Sequence, residues 1–382
     1  MKILGIETSC DETATAVVEK KNGKFRLLGS AVASSEEIHK KYGGIFPEHA
    51  AREQLKAILP MAEEALKQIH PRGARGGGIP SHTREEHPGS GRRPKAHPRG
   101  EICRHLGGGS GSGFDFDAIA VTQGPGLIGS LIVGIEVAKT LSFVLKKPII
   151  PINHLLAHLY INFLNNEAIK QWSNRTMFPS IGLIVSGGHT DLLLFKSFND
   201  YKWLGGTRDD AAGECFDKCA RLLDLGYPGG PEIEAAASKL KVKSQKLKVK
   251  LPRPMLKSNN FDFSFSGLKT AVLRRVQAAS RQPPAASQLA WEIQEAITDI
   301  LVEKTIRAAK KYKVKSILTG GGVIANKRLR RKLQVTCDKL QVKLFLPEKK
   351  LCTDNAVGIA IGGFFGKEVS WKNLRPKPSL EF

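Results

Sequence analysis

Two histidines four residues apart, His154 and His158 in the run Ile152-Asn153-His154-Leu155-Leu156-Ala157-His158-Leu159, carry the most specific chemistry in this chain. The segment is apolar and reads as helix, so both imidazoles can leave one face a single turn apart, as in a two-histidine metal clamp. A zinc protease places a glutamate directly after its first histidine to activate water. Leu155 stands there instead, which counts against peptide hydrolysis. The plainer alternative is two helix histidines facing solvent or a polar neighbour. Asp354 follows Cys352-Thr353 at the expected start of a helix. It is either an N-cap or an oxygen ligand completing a site with His154 and His158. Asp11 and Glu12 lie in an early turn, where a carboxylate can hold a metal, orient a phosphate, accept a proton, or simply shape the turn.

These side chains need a scaffold, and the apolar patterning supplies one. It predicts strands at 2–7, 13–19 and 25–34 and then a helix at 51–68. Three antiparallel strands followed by a helix open a ribonuclease-H-like unit. After a break come a strand at 116–122, a helix at 130–145 and a strand at 148–152 leading into the histidine helix. Strands at 179–185 and 191–195 flank Ser186-Gly187-Gly188-His189-Thr190, which repeats the strand–turn–strand plan of the N-terminus. Helices are expected at 209–223, 232–237 and 287–311. A strand at 316–319 meets Gly320-Gly321-Gly322 and a helix from Asn326; a strand at 344–347 and a helix at 354–365 close the chain. Both glycine-rich connections let backbone amides approach an anion or a purine edge, although each alone is also an ordinary tight turn. The loop Gln123-Gly124-Pro125-Gly126-Leu127-Ile128-Gly129 contains a GxGxxG spacing, but Pro125 sits inside it and no ribose-binding acid follows.

Residues 71–113 are rich in Gly, Pro, Arg and His and read as a disordered insert. The chain of 382 residues suits two domains and, with 41% hydrophobic residues, a sizeable core. No uninterrupted run of eighteen apolar residues occurs, so no membrane span is expected, and the N-terminus has no signal-peptide pattern. Six scattered cysteines suggest reduced thiols and a cytoplasmic protein. The formal charge of +23 points to a polyanionic partner. It is concentrated at Lys239, Lys241, Lys243, Lys246, Lys248, Lys250, Arg253 and Lys257, and again at Lys327, Arg328, Arg330, Arg331 and Lys332.

Taken in order, several of these motifs resemble the TsaD family of tRNA N6-adenosine threonylcarbamoyltransferases, of the bacterial or organellar type. They are Gly5-Ile6-Glu7-Thr8-Ser9-Cys10-Asp11-Glu12-Thr13, His39 with Tyr42-Gly43-Gly44 through Pro47-Glu48, and Gly124-Pro125-Gly126-Leu127. Asn153 to His158, Val185 to Thr190, Asp209 to Glu214, Phe216-Asp217-Lys218, Tyr227 to Pro231, Phe263 to Thr270, Gly320 to Val323 with Asn326, and Thr353-Asp354-Asn355 continue the series. The resemblance spans nearly the whole chain outside 71–113.

It implies an α/β fold of the actin and sugar-kinase class, with two ribonuclease-H-like lobes around a cleft. The expected division is 1–147, 148–353 and a closing 354–382 that packs back on the first lobe. The resemblance further implies that His154, His158 and Asp354 bind one divalent ion, Fe2+ first and Zn2+ second. Val185, Ser186, Gly187, Gly188, His189, Asp217, Gly230 and Asn326 would hold threonylcarbamoyl-AMP, and Asp11 or Glu12 would serve catalysis. Its partners would be tRNA and the proteins TsaB and TsaE. The competing readings are an ATP-dependent small-molecule kinase of the same superfold, a metalloprotease, and a non-enzymatic tRNA-binding scaffold.

Overall fold

A computed structural model describes residues 1–34, 47–69, 115–164, 177–240, 249–278 and 286–382. The 71–113 segment, the His39 to Gly44 motif and Lys241 to Lys248 lie outside the described residues.

The N-terminal strands β1 (Lys2–Glu7), β2 (Glu12–Lys21), β3 (Lys24–Ser34), β4 (Ala118–Gly124) and β5 (Ile149–Asn153) form one sheet in the order β3-β2-β1-β4-β5. The first three are antiparallel and the last two add in parallel. Both faces are covered, which is why β1 and β2 read as continuous apolar runs. Leu4, Ile6 and Val17 pack with Ile58 of α1 (Pro47–Lys67) and Ile135 and Ala138 of α2 (Ile128–Leu145). The opposite face, with Ile3, Ala14, Ala16 and Val18, meets α3 (His154–Tyr160) and α9 (Ala356–Gly363). α9 comes so close to β1 that a Cβ on Gly5 would lie 2.4 Å from the Ala356 carbonyl. α2 is long and apolar enough by composition to cross a bilayer. Glu136 and Lys139 interrupt it, however, and its inner face packs on the sheet.

The second sheet repeats the plan. β6 (Ser180–Val185), β7 (Thr190–Phe195), β8 (Tyr201–Gly206), β9 (Ser316–Gly320) and β10 (Lys343–Phe345) run β10-β9-β6-β7-β8. Read from the other edge this is the first sheet's order, with the same antiparallel and parallel pairings. Its outer face carries α4 (Ala212–Leu222), α5 (Gly229–Ser238), α6 (Ser266–Ala278), α7 (Ala286–Lys311) and α8 (Lys327–Leu340). α3 touches β5 of the first sheet and β6 and β9 of the second, so the histidine helix sits in the seam between the lobes.

Two elements, β8 and α6, were not expected. β8 is an edge strand that ends in Gly205-Gly206 and exposes Lys202 and Trp203, so it lacks the usual strand pattern. α6 has no local cap: Asp209, 57 residues away, accepts from the amides of Phe265 and Ser266 and from the hydroxyls of Ser264 and Ser266.

Candidate metal centre and adjoining cleft

β5 delivers Asn153 to the seam, and its side chain caps α3 by accepting from the amides of Leu155 (2.8 Å) and Leu156 (3.3 Å). The cap makes His154 the first helical residue and sets His158 one turn later on the same face. Both are buried, with ring centroids 4.7 Å apart and the rings edge to face.

Asp354 does not cap the closing helix. Asn355 does, accepting from the Val357 amide at 3.0 Å, and α9 begins at Ala356 rather than at 354. Asp354 is thereby left facing the imidazoles. Its Oδ1 lies 3.4 Å from His158 Nε2 and 3.6 Å from His154 Nε2. Two ligands each about 2.1 Å from a tetrahedral ion stand roughly 3.4 Å apart, so the carboxylate already stands at coordination spacing from each imidazole. His158 Nε2 is buried and has no hydrogen-bond partner among the described residues. An orphaned imidazole nitrogen beside a carboxylate and a second imidazole fits a divalent transition-metal ion.

The buried groups shift one another's protonation. Burial, reinforced by His154, pushes His158 down to about 3, so the ring stays neutral and one of its nitrogens keeps a lone pair. Burial raises Asp354 to about 6 against the pull of His154. Burial would also raise Glu7, but contact with His154 outweighs it and holds the carboxyl at about 2. Burial works against protonation of His154 too, yet Glu7 and Asp354 lift it to about 9. Glu7 is a site residue the sequence reading missed. Its signal was a carboxylate ending a strand that is otherwise entirely apolar, Lys2 aside.

Asp11 and Glu12 lie on the other side of Asp354, and these three carboxylates also come within 4.8 Å of one another. Burial and the charge of Asp354 raise Glu12 to about 10. The turn is held from outside: Gln54 donates to the Cys10 and Glu12 carbonyls, and Ser130 donates to Cys10.

The predicted adenylate residues divide into two groups. Ser186 to His189 form a tight loop after β6, closed by Ser186 N to His189 O (2.9 Å) and His189 N to Ser186 Oγ (3.1 Å). Gly187, Gly188, Gly230 and Gly322 face open space, where an added Cβ would meet nothing within 4 Å. Gly320 backs directly onto His158, 2.3 Å from its carbonyl to an added Cβ, so the second glycine turn adjoins the histidines. The other group has structural duties. Val185 is fully buried, and Asp217 Oδ1 accepts from Gly229 N at 2.7 Å, which anchors the start of α5. Asn326 caps α8 through Leu329 N and donates to Gln294 Oε1, so both ends of its amide are engaged. The amides of Gly213 and Glu214 at the start of α4 are taken by the Ser186 and Gly187 carbonyls.

The second cationic cluster is less free than its composition suggested. Arg328 makes a two-point pair with Glu295, Lys332 pairs with Glu295 and Asp299, and Arg330 donates to the Pro347 carbonyl. Lys327 and Arg331 remain exposed. A hollow of about 700 Å³ between α7 and α8 contains none of the predicted site residues.

A family model described as TsaD, tRNA N6-adenosine threonylcarbamoyltransferase, matches residues 26–72 and 111–361 and breaks within the 71–113 segment. A protein of that name from Persephonella marina is 41% identical over 367 residues, covering 95% of this chain and 90% of its own length. Another from Syntrophomonas wolfei is 41% identical over 382 residues, covering 99% and 97%. Among solved structures, HypF from T. kodakarensis aligns with TM-score 0.53 at 13% identity, covering 95% of this chain and 47% of its own. A full-length HypF aligns at 0.52 and 11%, covering 95% and 54%. At such identities these two speak to the fold alone.

Proposed function

Because the chain belongs to the TsaD family of tRNA N6-adenosine threonylcarbamoyltransferases, we propose that it transfers the threonylcarbamoyl group of threonylcarbamoyl-AMP to N6 of the adenosine 3′ of the anticodon. The substrate tRNAs are those that read codons starting with A. The observation that carries the reading, beyond the family match, is the convergence of His154, His158 and Asp354, with the glycine turn at Gly320 backing onto His158.

In the reaction the adenine amine attacks the carbamoyl carbon. A C–N bond forms, the bond from that carbon to the phosphate oxygen breaks, and AMP leaves with the electron pair. The amine is a weak nucleophile, so developing charge on the acyl and phosphate oxygens needs stabilisation. A divalent ion held by His154, His158 and Asp354, which we take as Fe2+ with Zn2+ the alternative, supplies Lewis acidity for that purpose. The loop from Val185 to His189 and the open Gly230 cradle the adenylate, while Asp217 and Asn326 fix the helices around it. Asp11 or Glu12, on the far side of Asp354, orients the acyl donor or, where ionised, takes the amine proton.

Lys327, Arg331 and the lysine-rich stretch from Lys239 to Lys250 grip the tRNA backbone. α1 and α2 expose Leu55, Leu59, Ile128 and Ile132, an apolar face suited to TsaB, with TsaE joining the assembly. The division at 147/148 and 353/354 belongs to the same reading, as does a cytoplasmic location. The test is mass analysis of nucleosides from unmodified tRNA incubated with the protein, its partners, threonine, bicarbonate, ATP and the synthase that makes the adenylate. Threonylcarbamoyladenosine is the expected product. Its absence from a complete reaction, or phosphoryl transfer to a small molecule instead, would overturn the proposal.

A further inference from the structure

Glu7 ends β1, the central strand of the first sheet, flanked by β2 and β4. Ile3, Gly5 and Glu7 alternate onto the face covered by α3 and α9, so Glu7 is carried to the histidines by the stiffest part of that lobe. The carboxylate is 1% exposed. Its Oε1 accepts from Ser9 N at 2.5 Å, and its Oε2 accepts from Thr122 Oγ1 of β4 at 2.7 Å. The remaining contact is His154 Nδ1, 2.9 Å from Oε2, with Ser9 Oγ at 3.2 Å from the same nitrogen. With Ser9 N and Thr122 Oγ1 already donating to it, the carboxylate meets Nδ1 as an acceptor, so Nδ1 is the donor and Nε2 is left as the ring nitrogen free to bind an ion. Nε2 is the atom that faces Asp354.

We infer that Glu7 is the positioning residue of the metal centre: bonded to His154 Nδ1, its carboxylate fixes the ring's tautomer and aim so that Nε2 is the ligand atom. A buried carboxylate with no lysine or arginine partner among the described residues is an expensive feature in an apolar sheet, and holding a metal ligand gives it a use. This inference rests on the metal reading above, and the experiment separates the two.

The chelator-stripped full-length protein is titrated with Co2+, followed by its visible absorption, alongside Glu7→Gln and His158→Ala, with the melting temperature of each metal-free protein. Glu7→Gln keeps the shape but places an amide donor against at least one of the three groups that now donate to the carboxylate. It should weaken Co2+ binding about 10- to 100-fold, more than any change in metal-free melting temperature accounts for. If His158→Ala binds Co2+ as the parent does, the metal reading itself fails. If His158→Ala abolishes binding while Glu7→Gln stays within about twofold of the parent, the role of Glu7 alone is refuted. Should Glu7→Gln not fold, 15N NMR of the histidines in the Zn2+-loaded parent decides. Zn2+ on Nε2 of His154 with a proton on Nδ1 supports the inference, and Zn2+ on Nδ1 overturns it.

Discussion

His158 is the side chain whose surroundings most clearly call for a ligand. Its Nε2 is buried on a neutral ring and has no hydrogen-bond partner among the described residues, and the carboxylate of Asp354 stands 3.4 Å away. His158→Ala removes one of three donors and should strip the centre of its metal, which elemental analysis of the purified variant will show. Asp354→Asn retains an oxygen but loses the negative charge, so it should bind metal more weakly than the parent without unfolding the chain. The histidine pair was legible from spacing alone, because i and i+4 share a helix face. Asp354 was ambiguous, because a boundary aspartate and a ligand look alike in sequence. In the structure the cap belongs to Asn355, which leaves Asp354 facing the imidazoles. Glu7 was harder to read, since only the fold shows that the end of β1 meets the start of α3.

At the scale of elements, the site depends on how closely α9 packs against α3 and β1. A Cβ on Gly358 would lie 2.3 Å from the Ala157 carbonyl, in the middle of the histidine helix. Gly358→Ala should therefore cost about 1–3 kcal/mol by overpacking and loosen metal binding, measured by denaturant unfolding and by metal affinity on the same sample. Asn355→Ala, which removes the cap, should cost about 1 kcal/mol. A separate clamp joins α7 to α8 through Glu295, Arg328 and Lys332. Burial tends to raise Glu295, but its two cationic partners outweigh this and hold it below the usual glutamate range. A carboxyl lowered in the folded state contributes stability that is complete above the ordinary glutamate pKa and disappears as pH falls through the lowered value. Thermal unfolding between neutral and strongly acidic pH should thus show a steeper acid loss in the parent than in Glu295→Gln. Most strands and helices were readable because both sheets are buried on two faces and leave continuous apolar runs. α6 escaped because its cap, Asp209, comes from a distant segment that no local window contains.

At the scale of the whole molecule, two sheets of the same topology enclose a seam, and the histidine helix lies in it. The repeat was visible as two strand–turn–strand openings, although no residue-by-residue repeat accompanied it. The net charge of +23 predicts tRNA binding that weakens steeply with salt. Lys327→Ala and Arg331→Ala should each reduce the slope of log affinity against log salt by about one, in filter-binding or anisotropy assays. Substituting Ile132→Asp on the exposed face of α2 should block assembly with TsaB, seen by size-exclusion chromatography, while leaving the metal content intact.

The central claim is that one metal ion on His154, His158 and Asp354 enables threonylcarbamoyl transfer. Threonylcarbamoyladenosine formed by the chelator-stripped protein, with its partners and adenylate supplied, tests it directly as Fe2+ or Zn2+ is added back. Product formation should rise from near zero and level off at one equivalent of metal per chain, and His158→Ala should stay flat. Full activity in the presence of chelator, or an unimpaired His158→Ala, would contradict it.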